Sequence, residues 1–450
     1  MRSHFSRRQF LKRSAAVGAG AWLAGPYLSF GNISPNEKLN IGVIGTANRA
    51  REDINGVRSE NIVAFCDIDE KLLDAAQQDF PGAKRYTDFR KMLEQKDIDA
   101  VVVGVPDHNH AVATVAALQS GRHVYCEKPL THTISEVRIV AATTRKTGLV
   151  TQMGNQIHAS SNYRRVVELV RSGAVGRVDE VHCWVSSAWG AGGAPQGEPV
   201  PAGLDYDQWL GPIPYHPYSR EYVPVKWRRY WAFGGGTLAD FCCHLTDLAF
   251  WALDIKSPET IEAEGPAPHP ECAPDWLIVR YEYPRSQMFG HVTKTMSPKA
   301  AQSMETAGVP APSSMPPLKL IWYSGDRRPP YKLPQWGNGV LFVGSKGMLL
   351  TDYSKHVLLP EKDFAGFQPP KPTIPESIGH HAEWIHAIKN KGKTTCNFEY
   401  GALLTEAGLL GNVAFRTGKK IEWDAKNMRV KNCPEAGQYI QHHYRPGWNI

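Results

Sequence analysis

No two cysteines in this 450-residue chain are spaced C-x-x-C, and the eight present (Cys66, Cys126, Cys183, Cys242, Cys243, Cys272, Cys396 and Cys433) are scattered. Cys66 and Cys126 fall in apolar runs that read as core strands. Neither a disulfide framework nor a zinc site is expected, and no metal is assigned. Basic surplus is thin as well. The formal charge is +7, but Arg2, Arg7, Arg8, Lys12 and Arg13 precede an apolar segment, and without them the balance is +2. A body so close to neutral argues against a nucleic-acid surface. Beyond the N-terminal segment there is no run of about 18 apolar residues, so no membrane-spanning helix is expected in the mature chain. The length allows two or three domains with ample core.

Residues 1–33 read as a targeting segment. Ser6-Arg7-Arg8-Gln9-Phe10-Leu11-Lys12 is followed by a small-residue apolar stretch over residues 15–30. This is the layout of a twin-arginine export signal. It implies the twin-arginine export machinery as a partner and the periplasm or cell exterior as destination.

The body opens on residues 39–67. An apolar run, LNIGVIG, ends in a turn; a helical run follows; a second apolar run, NIVAFCD, ends in an acid. That is the shape of a βαβ dinucleotide site. Gly45 makes the tight turn, and the next helix presents free N–H groups to a pyrophosphate. The turn reads Gly45-Thr46-Ala47-Asn48-Arg49-Ala50, with alanine at the second and third glycine places. Gly45, Ala47, Asn48 and Arg49 are candidate cofactor contacts. Asp67, about 20 residues on, is placed to accept the ribose hydroxyls. No arginine follows closely, and a carboxylate repels a 2′-phosphate, so NAD is expected over NADP.

Apolar strands and amphipathic helices alternate from residue 37 to 155, which predicts an NAD-binding Rossmann domain with a doubly wound parallel sheet. From residue 156 to 450 strands follow one another with few helices between them. Strand candidates cover 178–186, 275–284, 287–293, 318–323 and 339–351. This predicts an α/β fold overall, with a C-terminal α/β domain carrying a large, mainly antiparallel open sheet. Two Pro/Gly-rich stretches, 188–217 and 297–338, read as long loops, the second with eight prolines.

Residues 237–253 read TLADFCCHLTDLAFWAL, a helix without Lys, Arg, Glu or Gln. It lacks a solvated face and is expected to be buried. Asp240, His244 and Asp247 share one arc, and that polar stripe must meet something polar: each other, a ligand or a metal. Lys128 ends a parallel strand, where the binding crevice of such sheets lies. There its amine can serve a substrate oxygen, or simply pair with Glu127.

Four motifs in this order, Gly45-Thr46-Ala47-Asn48-Arg49, Pro106-Asp107-His108-Asn109-His110, Glu127-Lys128-Pro129 and Gly236-x3-Asp240-x3-His244-x2-Asp247, resemble the Gfo/Idh/MocA oxidoreductase family over about residues 38–423. The resemblance implies a Rossmann domain, a sheet domain that often mediates homo-oligomerisation, and Lys128, Asp240 and His244 as the catalytic group. It implies that Pro106, His110, Glu127, Lys128 and Asn155 lie on the cofactor side, with His110 and Asn155 near the nicotinamide. It also implies a small carbohydrate or polyol substrate. His244 would take a hydroxyl proton, Asp240 would orient the imidazole, and Lys128 would hydrogen-bond the developing alkoxide. Trp227 and Arg228 suit a polyhydroxylated ring, or serve as interface or core aromatics, and are substrate-side candidates beside Asp240 and His244; Tyr163 and Arg164 are further ones. Ala47 and Cys242 depart from the family's usual glycines.

The expected function is an NAD-dependent oxidoreductase acting on a CH–OH group of a sugar or polyol, with tightly held cofactor. The alternatives are an NAD-dependent glycosidase using transient oxidation at C3, and a non-catalytic sugar-binding relative.

Overall fold

The computed structural model describes residues 37–285 and 316–450. The export segment and the strand expected over 287–293 lie outside the described residues. No helix among the described residues is long and apolar enough to cross a membrane.

Six parallel strands form the first sheet: β1 Asn40–Ile44, β2 Asn61–Cys66, β3 Lys84–Tyr86, β4 Ala100–Val103, β5 His123–Glu127 and β6 Thr151–Gly154. Their order is β3-β2-β1-β4-β5-β6. The connecting helices are α1 Arg49–Val57, α2 Glu70–Asp79, α3 Phe89–Met92, α4 Asp107–Gln119 and α5 Ile134–Thr147. The run AVVV of β4 is wholly buried, as a central strand covered on both faces must be. Local signals set the helix ends. Thr133 and Glu136 form a reciprocal capping box at the start of α5, and Gly148 closes it in the left-handed conformation. Strand order reverses between β1 and β4, so the crevice outside their carboxyl ends is the place for a ligand.

The rest of the chain adds α6 Ser161–Arg171, β7 Val178–Val185, α7 Tyr206–Leu210, α8 Gly236–Leu253, β8 Thr260–Glu264, β9 Leu277–Tyr283, β10 Leu318–Ser324, β11 Asn338–Gly344, β12 Gly347–Thr351, β13 His356–Leu359, α9 His380–Lys389, α10 Phe398–Thr417, β14 Ile421–Asp424 and β15 Arg429–Val430. Nine of these strands form one sheet in the order β13-β12-β11-β7-β10-β9-β8-β14-β15. Within it β7 and β10 run parallel and the other pairs antiparallel. The run expected as one strand over 339–351 is two, β11 and β12, paired as a hairpin. Ser345 and Lys346 between two glycines make the turn.

The hydrophobic helix α8 packs against α10 and on β7, β10 and β11. Leu238, Leu245, Leu248 and Phe250 are fully buried there, each contributing about 1.5–3 kcal/mol by leaving water. The opposite face of the sheet, around Trp184, Ile321, Tyr323, Leu341 and Leu350, lies under Tyr331, Leu333 and Trp336 of the long loop.

Candidate active site

The first turn of the parallel sheet is shaped for an anion. Gly45 has φ +87°, and a Cβ there would lie 2.5 Å from the Gly104 carbonyl oxygen, so no side chain fits. Asn48 also takes a positive φ, 51°, and its side chain makes no cap bond to α1. The N–H groups of Ala47 and Asn48 donate to no group among the described residues. These donors and the positive end of α1 suit a diphosphate. Asp67 closes the far side. Its Oδ2 accepts from the Thr46 N–H at 2.8 Å and the Thr46 hydroxyl at 2.7 Å. Its Oδ1 meets the Asp69 N–H at a long 3.2 Å, which leaves capacity for a ribose hydroxyl. Burial pushes the carboxyl up against these hydrogen bonds. Gly45, Thr46, Asn48, Asp67, Leu72 and Phe89 line this part of the cleft. The residues present fit a dinucleotide.

The cleft continues past Ala47, Asn48 and Pro106 into a second chamber, walled by Glu127, Lys128, Trp189, Trp227, Arg228 and Asp240. Here the loose ends of the sequence meet. Lys128, at the end of β5, places its Nζ 2.6 Å from Asp240 Oδ1 and 2.6 Å from the Asp240 carbonyl oxygen. Trp189, from the Pro/Gly-rich loop, donates its indole N–H to Asp240 Oδ2 at 2.6 Å. Burial alone would raise the Asp240 carboxyl. The charges of Lys128 and Arg228, with the hydrogen bonds from Lys128 and Trp189, override it and hold the carboxyl down to about 2. Arg228 stacks 4.3 Å from the Trp227 ring and 5.7 Å from the Trp189 ring. Glu127 accepts from Arg49 Nε at 3.1 Å. A Cβ on Gly154 would lie 2.3 Å from Glu127 Oε1, so glycine opens the space this carboxyl fills. Glu127 and Asp53 are both pushed up, first by burial and then by one another's charge in the case of Glu127.

His244 follows Asp240 by one turn of α8. Its Nδ1 lies 2.5 Å from Asn155 Oδ1, while Asn155 Nδ2 donates to the Cys243 carbonyl oxygen at 3.1 Å. With the amide oriented this way, Oδ1 is an acceptor and Nδ1 carries the proton. The lone pair is then on Nε2, which has no partner among the described residues. Burial first, then the Lys128 charge, drive the imidazole well below its usual range, so it is neutral at neutral pH.

The structure brings Gly45, Ala47, Asn48, Arg49, Asp67, Pro106, His110, Glu127, Lys128, Trp227, Arg228 and Asp240 to the walls of this cleft. It corrects four expectations. Asp240 does not orient His244; its carboxyl oxygens go to Lys128 and Trp189, because it points to β5. Asn155 is fully buried and orients the imidazole instead of lining the cleft. Tyr163 is fully buried and donates its hydroxyl to the His244 carbonyl oxygen, and Arg164 donates to the Pro375 carbonyl oxygen and lies over Trp251. Neither Tyr163 nor Arg164 lines the chamber, since the inner face of α6 packs toward α8. His110, also buried, places its ring nitrogens 2.7 Å and 2.8 Å from the carbonyl oxygens of Pro129 and Val105, tying α4 to the Lys128 turn. The third polar residue of α8, Asp247, pairs with His158 at 2.9 Å and accepts from Tyr400. Trp189 gave no signal in the sequence, because a loop tryptophan has no periodicity to place it. Among the described residues no cluster of His, Cys, Asp and Glu is arranged to hold a metal ion.

Residues 39–155 match the model described as "Oxidoreductase family, NAD-binding Rossmann fold", and residues 174–289 match "Oxidoreductase family, C-terminal alpha/beta domain". The chain belongs to the Gfo/Idh/MocA oxidoreductase family. A glycosyl hydrolase family 109 protein of Saccharopolyspora erythraea is 26% identical over 258 residues, 51% of each chain. An inositol 2-dehydrogenase of Salmonella typhimurium is 31% identical over 146 residues, 32% of this chain and 43% of that one. The chain thus spans about half the length of the curated relatives it matches. In fold it is similar to the WlbA dehydrogenase from Bordetella pertussis, solved with NADH and UDP-GlcNAcA (16% identity, TM-score 0.59, covering 86% of this chain and 99% of that one). It is likewise similar to scyllo-inositol dehydrogenase from Lactobacillus casei, solved with NAD(H) and scyllo-inositol (16% identity, TM-score 0.55, covering 86% and 99%).

Proposed function

We propose that this protein is an NAD-dependent oxidoreductase that acts on a CH–OH group of a small sugar or polyol. The observation that carries the reading is the Lys128–Asp240 pair on the wall of a chamber continuous with the Gly45 turn, with the His244 imidazole one helical turn behind it, near enough for the Lys128 charge to help keep it neutral. The Gly45 turn, the start of α1 and Asp67 would hold the dinucleotide. When bound, NAD supplies a nicotinamide able to accept or return a hydride. The protein's residues do the proton work. His244 Nε2 accepts the hydroxyl proton, and Asn155 keeps the lone pair on that nitrogen. The Lys128 ammonium hydrogen-bonds the oxygen as charge grows on it. Asp240 fixes the amine in place. Trp189, Trp227 and Arg228 present flat faces to a hydroxylated ring and exclude water.

The N-terminal Arg pair and apolar stretch support export to the periplasm or beyond. No nicotinamide pool exchanges there, so the cofactor would be loaded before export and held through turnover. The open sheet, as in the family resemblance, would form a homo-oligomer. The similarity to a family 109 glycosyl hydrolase protein favours one second reading, a glycosidase that oxidises and re-reduces the same sugar.

The test is to denature the purified protein, identify the released nucleotide by mass spectrometry, and run a carbohydrate panel read by nicotinamide absorbance. NAD in the supernatant and a polyol-dependent absorbance change are expected. Protein that releases no nucleotide and binds none would refute the reading. Release of p-nitrophenol from an aryl glycoside without net reduced cofactor would replace it with the glycosidase.

A further inference from the structure

Asp107 is a buried acid of the second chamber that the reaction as proposed does not use. It is the first residue of α4, lines the chamber and is 5% exposed. Its carboxyl hydrogen-bonds no other described residue and meets its own backbone N–H alone. The three residues that follow are all engaged. His108 and Asn109 reach the Trp209 carbonyl oxygen at 2.8 Å each, and His110 reaches those of Pro129 and Val105. The first turn of α4 is therefore clamped on both sides, and Asp107 is held rigidly without being used.

The chamber's other carboxyls are taken. Asp240 gives one oxygen to Lys128 and the other to Trp189, and Glu127 is held by Arg49. Charges that reach Asp107 are, in falling order, those of Arg228, Asp240 and Lys128. It thus faces the same space as the reacting group. Burial pushes its carboxyl up to about 8. A carboxyl that is largely protonated at neutral pH both donates and accepts, as a hydroxyl does.

We propose that Asp107 is a specificity-determining substrate contact whose carboxyl hydrogen-bonds a hydroxyl next to the carbon addressed by Lys128 and His244. This rests on the polyol reading above and says which polyols are taken: those with a hydroxyl at that neighbouring position.

The test uses the full chain loaded with NAD. Calorimetric binding and turnover are measured for myo-inositol, D-glucose and their monodeoxy counterparts, with wild type, D107A and D107N. Wild type is expected to bind a parent polyol about 10-fold more tightly than one of its monodeoxy counterparts. D107A should bind those two alike, with NAD affinity unchanged. Should D107A fail to fold, D107N, which keeps the shape, is expected to weaken the parent several-fold and leave the deoxy compound unaffected. A preference that survives in the folded variants overturns the inference, as does wild type that binds no member of the panel. Wild type that discriminates in binding but never reduces NAD sinks the oxidoreductase reading and leaves the Asp107 contact standing.

Discussion

Replacing Lys128 by methionine keeps the length of the side chain and removes its charge. Asp240 would then be a buried carboxylate with Arg228 and the Trp189 indole as its remaining support. Its fall from 3.8 to about 2 is close to two pH units, which at ~1.36 kcal/mol each is a preference of about 2–3 kcal/mol for the charged form. Removing one partner of a buried pair typically destabilises by about 3–5 kcal/mol, because the other charge is stranded. K128M is therefore expected to lose about 2–4 kcal/mol at pH 7 by denaturant titration. The pH dependence has a definite sign. A carboxyl held below its ordinary 3.8 stabilises fully above that pH, and the contribution fades as pH falls through 2. The gap between K128M and wild type should be widest near neutrality and close in acid. Turnover should fall about 10²- to 10⁴-fold. The double variant K128M/D240N removes both charges; it should recover most of the stability and none of the turnover. Equal stability of K128M and wild type at pH 7, with turnover retained, would refute the ion pair as the centre of this site.

The Asn155–His244 contact predicts a pH shift. In N155D a carboxylate beside Nδ1 favours the imidazolium, so the acid limb of kcat should move to higher pH; an unmoved limb would remove Asn155 as the orienting group. The buried Tyr163 hydroxyl predicts a contrast. Y163F should cost about 0.5–1.5 kcal/mol of stability through the lost bond to the His244 carbonyl, with KM unchanged. A KM raised about 10-fold would return Tyr163 to the substrate side.

Much of this architecture was legible in residue order. AVVV of β4, apolar throughout, suits a strand covered on both faces, and a helix with no Lys, Arg, Glu or Gln over residues 237–253 lacks a solvated face. Asp67 and Gly45 were readable because strand, turn, helix and acid recur at a local spacing. Tyr163 and Arg164 were misplaced for a related reason. They sit just after the last parallel strand, and nothing local tells which face of α6 meets α8 and which meets water.

Residue order by itself determined the fold class, the turn that suits a dinucleotide and the family, because period, turn chemistry and motif spacing are properties of neighbours along the chain. Tertiary structure alone decided that Asp240 belongs to Lys128, that Asn155 belongs to His244, and that Trp189 closes the chamber. Those pairings join residues 51 to 112 positions apart, and they form only because packing α8 against its neighbours brings one polar stripe to the carboxyl ends of β5 and β6.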